Sequence, residues 1–261
     1  MTAVVPLGRR AAAEFVGTGA LVAVVVGSGI QAATLSQDVG VQLLANSLAT
    51  VFGLGTLILL LGPVSGAHFN PVVTLAARWT ARRGGEGPGP CEVAAYLPAQ
   101  IAGAIGGAVL ADTMFAEPPV AWSTHERWAP HLWLGEVVAT AGLVLLVLGL
   151  ARIGRAHLAP VAVASYIGAA YWFTSSTSFA NPAVTIGRAF SDTFAGIAPA
   201  SVLPFVAAQL VGLAVGLGLL VVLFGGPGPR PRDRSAADPV PAPAFPALPA
   251  PPAPRTKDLL P

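Results

Sequence analysis

The chain has 261 residues, of which 54% are hydrophobic and 10% charged, with a formal net charge of +2 and a mean hydropathy of +0.70. A soluble domain carries about 25% charged residues, so this composition excludes an ordinary water-soluble enzyme and a disordered chain, and favours a bundle of membrane helices. The basic residues do not cluster as a nucleic-acid-binding face would require, and one cysteine, Cys91, excludes an internal disulfide and any multi-cysteine metal site.

Six apolar stretches follow in chain order, over about residues 11–31, 41–61, 93–115, 131–151, 158–176 and 201–224. Arg9 and Arg10 before the first one imitate a signal peptide. The long apolar run with Glu14 inside it predicts a retained transmembrane helix instead. Two shorter segments begin at Asn70-Pro71 and Asn181-Pro182. Each holds about ten helical residues, too few to cross a bilayer of about 30 Å. Proline suits the first helical position and asparagine the N-cap, so both segments read as half-helices.

Arg9 and Arg10, then Arg78, Arg82 and Arg83, then Arg152 and Arg155, then Arg230, Arg232, Arg234, Arg255 and Lys257 all fall on one side of six spans. Only Arg127 and Arg188 fall on the other. The positive-inside rule therefore predicts that both termini are cytoplasmic. Residues 227–261 change abruptly to Pro-Ala repeats and are predicted to form a disordered cytoplasmic tail, separate from a membrane-spanning domain over 1–226.

The halves repeat. Glu14-Phe-Val-Gly-Thr18 matches Glu136-Val-Val-Ala-Thr140, Asn70-Pro-Val-Val-Thr-Leu matches Asn181-Pro-Ala-Val-Thr-Ile, and Gln100-Ile-Ala-Gly103 matches Gln209-Leu-Val-Gly212. The matches keep their order at separations of about 110–120 residues. Three spans per half is an odd number, so the second half enters from the opposite face: an inverted repeat over about 10–115 and 131–224. The two half-helices would meet near the midplane with their positive ends facing, a site hostile to cations. The amides of Asn70 and Asn181 would donate hydrogen bonds to a neutral oxygen there.

These residues resemble the aquaporin, or major intrinsic protein, family. Ser65-Gly-Ala-His-Phe-Asn-Pro-Val-Val-Thr74 is similar to the family's first Asn-Pro-Ala box and its lead-in, and Asn181-Pro-Ala-Val-Thr185 to the second. The resemblance covers about residues 10–224. It implies an all-α membrane protein, an aquaporin-like bundle of six transmembrane helices plus two re-entrant half-helices, in the plasma (inner) membrane as a homotetramer with one pore per subunit. The box residues are then Asn70, Pro71, Val72, Asn181, Pro182 and Ala183, with Val72 where the family usually has alanine. The family usually has arginine directly after the second box, where this chain has Val184; Arg188 lies four residues on.

Ungapped counting from the boxes gives a constriction of Thr50, Ala169, Ser178 and Val184, with Phe52 replacing Thr50 if two residues are gapped. Thr50, Ala169, Ser178 and Val184 would make a wide, uncharged filter, unlike a water-selective or a glycerol-type one. The resemblance thus implies passive permeation of water or small neutral solutes: glycerol-like polyols, urea, or arsenous acid, since relatives with unusual filters are linked to arsenic resistance.

Glu14 and Glu136 either couple protons across the membrane or accept loop amides that support the half-helices, and the resemblance implies support. His68 reads as a pH switch, a metal ligand or loop support, the last again implied by the resemblance. Trp122, Trp128 and Trp133 suit the membrane interface, and Phe179 either narrows the outer mouth or turns from it. Gly103, Gly106, Gly107, Gly212, Gly216 and Gly218 permit close helix approach. No catalytic motif, cofactor or metal site is expected, and the partners are the bilayer and uncharged solutes, with no nucleic acid. Two other readings stay open: a proton-coupled secondary transporter built on half-helices, and a non-conducting membrane scaffold acting through the tail.

Overall fold

A computed structural model describes residues 5–225. They form eight α-helices and one 3-10 turn, with no strand among the described residues: α1 (Leu7–Leu35), α2 (Val39–Ser65), α3 (Pro71–Ala81), α4 (Pro90–Met114), α5 (Pro130–Arg152), the turn Ala156–Leu158, α6 (Ala159–Phe173), α7 (Pro182–Arg188) and α8 (Pro199–Phe224). Five helices, α1, α2, α4, α5 and α8, are long and apolar enough to cross a membrane.

The sixth expected span is shorter than its apolar stretch. Helix α6 has 15 residues, about 22 Å. The three-residue turn before it adds about 2 Å per residue. Helix α6 stops at Phe173: Thr174 keeps the helical amide bond to Ala170 O at 3.2 Å but its own backbone is extended, with φ −105° and ψ 140°. The chain then leaves the helix as the lead-in to α7.

Both half-helices are present, α3 with 11 residues and α7 with seven. Each begins with proline, and each is capped by the asparagine before it. Asn70 Oδ1 accepts from the amide of Val72 at 2.9 Å. Asn181 Oδ1 accepts from those of Ala183 and Val184 at 3.0 and 3.3 Å. The N-cap bond satisfies helix-end donors that no intrahelical carbonyl can reach.

The two halves, α1–α4 and α5–α8, follow one plan. Helix α1 packs on α4, and α5 on α8. Both crossings are set by glycine. A Cβ at Gly103 would overlap the carbonyl of Phe15, and one at Gly107 that of Gly19. In the second half a Cβ at Gly212 would meet Val137 O and Thr140, and one at Gly216 would meet Ala141 O and Val144. Gly106 and Gly218 differ from expectation: nothing lies within 4 Å of a Cβ at either. They sit on helix faces turned away from these crossings.

Arg9, Arg10, Arg78, Arg82, Arg83, Arg152 and Arg155 share the end of the bundle where α1 begins. Trp122 and Trp128 are exposed near the opposite end, and Trp128 packs edge-on against Trp133 with centroids 5.6 Å apart. The exposed large hydrophobics include Phe52, Leu59, Leu60, Val161, Leu203 and Val222. Apolar side chains pointing outward suit lipid rather than water.

The candidate pore and its constriction

The lead-in loops to the half-helices hold five of the six non-glycine residues with positive φ among the described residues. Ala67 and Phe69 before the first box have φ of 49° each, and Ser178 and Ala180 before the second have 51° and 47°. Left-handed backbone costs a non-glycine residue about 1–2 kcal/mol, so something must hold it. In each half a buried glutamate does.

Glu14, fully buried, accepts from Ser65 Oγ (2.6 Å) and the amides of His68 (2.9 Å) and Phe69 (2.7 Å), and from Gln100 Nε2 (2.8 Å). Glu136, fully buried, accepts from the amides of Phe179 and Ala180 (2.8 Å each) and from Gln209 Nε2 (2.7 Å). Each glutamine donates a second bond to a threonine of the half-helix: Gln100 to Thr74 and Gln209 to Thr185, both at 2.9 Å. Each threonine hydroxyl in turn donates to the carbonyl of its own asparagine. The network is one motif repeated by the inverted symmetry. Gln100, Gln209, Thr74 and Thr185 were visible in the sequence as matched repeat positions, yet nothing in composition assigns them this role.

His68 joins the first network. Thr74 gives its proton to Asn70 O, so its contact with His68 Nδ1 at 3.1 Å requires the ring nitrogen to donate. The ring packs edge-on to Tyr96, centroids 5.6 Å apart, whose hydroxyl donates to Ser65 O at 2.8 Å. No group of three or more metal-ligating side chains occurs among the described residues.

The two boxes are tied across the symmetry axis. Asn70 Nδ2 donates to Ala180 O at 2.7 Å, and Asn181 Nδ2 to Phe69 O at 2.8 Å. An amide nitrogen has two hydrogens. One of each is spent on the opposite half, which fixes the side chain and leaves the second for a solute. Both asparagines line a cavity of about 260 Å³.

That cavity is lined by stripes at helical spacing from α1, α2, α3, α5, α6 and α7, with none from α4 or α8 among the described residues. Helix α2 supplies Thr50, Leu54 and Ile58; α5 supplies Leu143, Val147 and Ala151; α6 supplies Ala159, Val163, Ile167 and Tyr171; α7 supplies Val184 and Arg188. It therefore extends from the arginine-rich end, at Ala151 and Ala156, past both boxes to Arg188 near the other end. Gly66, Ala67 and His68 of one loop and Ser178 and Phe179 of the other also line it. Apolar walls with a few convergent polar groups guide a small solute without trapping it.

The expected constriction needs one correction. Thr50 is 2% exposed and lines the cavity, whereas Phe52 is 69% exposed on the outside of α2. Ser178 and Val184 also line it. Ala169 does not; it is exposed on the outer face of α6. Counting back from Asn181 ignores the helical phase of α6. Ala169 lies two residues, about 200°, from the Val163–Ile167 stripe, and Tyr171 lies on it. Thr50 donates to Asn46 O at 2.8 Å, so in its 3.1 Å contact with Tyr171 the phenol donates. The Tyr171 oxygen is then left as an acceptor. The i+4 spacing from Ile167 was the signal that could have found it.

Nor is the outer end uncharged. Arg188, four residues beyond Val184, is 4% exposed and lines the cavity. Its guanidinium lies 3.5 Å from the centroid of the Phe179 ring, and Arg127 from the α4–α5 connection lies 4.9 Å from the same centroid. Phe179 thus turns inward, 4% exposed. In the same connection, burial and then the nearby charges of Arg127 and Arg188 hold the His125 imidazole below its usual range.

A transmembrane bundle with inverted halves, two facing half-helices and a lined passage through both boxes defines a membrane channel. The family profile described as "Major intrinsic protein" matches residues 2–178. Aquaglyceroporin AqpS of Rhizobium meliloti (strain 1021) is 48% identical over 218 residues, 82% of this chain and 89% of that protein. Aquaporin Z of Brucella melitensis biotype 1 is 28% identical over 80% of this chain and 94% of its own length. The X-ray structure of the aquaglyceroporin from Plasmodium falciparum superposes with a TM-score of 0.56 at 22% identity, covering 83% of this chain and 93% of the other, a likeness of fold. The chain belongs to the major intrinsic protein family. It is a passive membrane channel and not an enzyme.

Proposed function

We propose that the channel passes water and small uncharged solutes, among them glycerol-like polyols, urea and undissociated arsenous acid. The observation that carries this reading is the pair of asparagine amides, each anchored to the opposite half by one hydrogen and left with one for the passage. Thr50, Tyr171, Ser178 and Val184 make up the outer constriction. Val184 presents two methyl groups where an arginine would reach across, so a neutral triol has room and meets hydroxyl partners on one side. The similarity to a protein named as an aquaglyceroporin favours the same solute class.

The test is stopped-flow light scattering on proteoliposomes under water, glycerol, urea and arsenous acid gradients. Non-saturating solute permeation, reduced by about fivefold or more in Val184→Arg through steric closure, is expected. Rates no higher than in empty liposomes, with insertion verified, would remove this reading.

The arginine-rich end lies on the cytoplasmic side of the inner membrane, by the positive-inside rule. Cys91 is exposed at the start of α4 on that end. A membrane-impermeant maleimide should therefore label it in inside-out vesicles and not in right-side-out ones. The subunits assemble as homotetramers, each with its own pore, so the mass of the detergent-extracted complex should equal four chains.

A further inference from the structure

Arg188 is built differently from an arginine that only holds structure. It is 4% exposed, and one face of its guanidinium covers Phe179. Its Nε donates to the carbonyl of Ala195. A guanidinium has five N–H donors, and no other bond from Arg188 to a protein group is made among the described residues. The ion pair formed by the described residues is Arg10 with Glu92, at the other end of the bundle. Glu136, a buried carboxyl of the same half, has both oxygens occupied by the Phe179 and Ala180 amides and by Gln209. A buried guanidinium without a carboxylate is costly, and the cavity it lines is the place where its four remaining hydrogens find water or solute.

Its position adds to this. Arg188 follows Val184 by one turn of α7, so both face the same passage. Arg127 lies over the same aromatic ring and reinforces the positive potential, while its Nε is held by Gly196 O at 3.2 Å.

Resting on the neutral-solute reading above, we propose that Arg188 is the charge-selective residue of this pore. It is a guanidinium set one turn outward from Val184, pinned by Ala195 and Phe179, which turns cations back and offers donors to solute oxygens. The space beside Val184 is thereby left open to bulky uncharged solutes without admitting ions. Size selection and charge selection sit at two levels, Val184 with Tyr171 for size and Arg188 for charge.

The experiment uses the full chain in planar bilayers and proteoliposomes, reading sodium conductance and glycerol swelling side by side. Wild type should pass glycerol with sodium conductance at the protein-free level. Arg188→Gln should still pass glycerol well above the protein-free level and should raise sodium conductance by about tenfold or more, since a full charge is removed from a poorly solvated passage. Arg188→Lys should restore the seal. Phe179→Leu, which removes the stacking face but keeps the charge, should leak less than Arg188→Gln and more than wild type, and serves where the glutamine variant does not insert. A glycerol-permeable Arg188→Gln, or failing its insertion a Phe179→Leu, that seals against sodium as wild type does would overturn the proposal. A wild type that passes no glycerol would instead overturn the reading on which it rests.

Discussion

Glu14 and Glu136 each hold a loop whose amides have no other partner and whose backbone is left-handed at two non-glycine positions before the first box and three before the second. Removing either carboxyl leaves two backbone donors buried and unpaired, each costing about 1–3 kcal/mol. Glu14→Ala and Glu136→Ala should each destabilise the protein by about 3–5 kcal/mol and lower its melting temperature in detergent. Glu14→Gln keeps one acceptor but turns an NH2 towards a backbone amide, and should cost about half as much. A melting temperature unchanged in both alanine variants would mean that the loops are held by packing alone. The sequence made the two glutamates legible through the repeat, because a carboxyl inside a span always demands a partner. It left the constriction less legible. Ala169 was chosen by counting along the chain, and counting carries no information on where a helix ends or how it is phased. Tyr171 follows from phase: Val163, Ile167 and Tyr171 form a single stripe.

At the scale of elements, the paired crossings of α1 on α4 and α5 on α8 rest on backbone touching backbone. Gly103, Gly107, Gly212 and Gly216 meet carbonyls that cannot rotate away. Gly103→Ala or Gly107→Ala should therefore cost about 1–3 kcal/mol each by overpacking, seen as a lower melting temperature and poorer recovery of monodisperse protein. Gly106→Ala and Gly218→Ala, with open space around the new methyl, should change stability by less than about 0.5 kcal/mol. Equal losses at all six positions would show that helix propensity or lipid contact governs, not the crossing. Six glycines in two helices were readable as a close-packing signal, but the sequence alone does not say which side of a helix meets its partner. The same limit applies to α6. Its apolar stretch looked long enough to span, yet the backbone turns extended at Thr174, a change of conformation invisible to hydropathy.

For the molecule as a whole, the inverted repeat was legible because three motifs recur in order, and it accounts for the glutamate–glutamine–threonine network in both halves. What the repeat conceals is where the halves diverge. On the first half Arg10 reaches both Glu92 and Tyr96, and Tyr96 reaches Ser65. On the second, Arg127 and Arg188 gather on Phe179, the residue that takes the place of His68 two positions before the box. The two ends of the passage are therefore chemically distinct, with a paired arginine behind the first loop and unpaired ones around the second.

Among the described residues, those that line this passage lie between Leu21 and Arg188. The Pro-Ala-rich segment from residue 227 onward, expected from composition to be a disordered tail, lies outside the described residues. A chain ending at residue 226 should keep α8 complete to Phe224 and retain its glycerol and water permeability per inserted molecule within about twofold, a spread ordinary for changes remote from a site. Stopped-flow swelling of matched proteoliposomes, with inserted protein quantified, measures this directly. Loss of permeability in a well-inserted truncated chain would move function to the tail and revive the scaffold reading, whereas retention confines conduction to the helices.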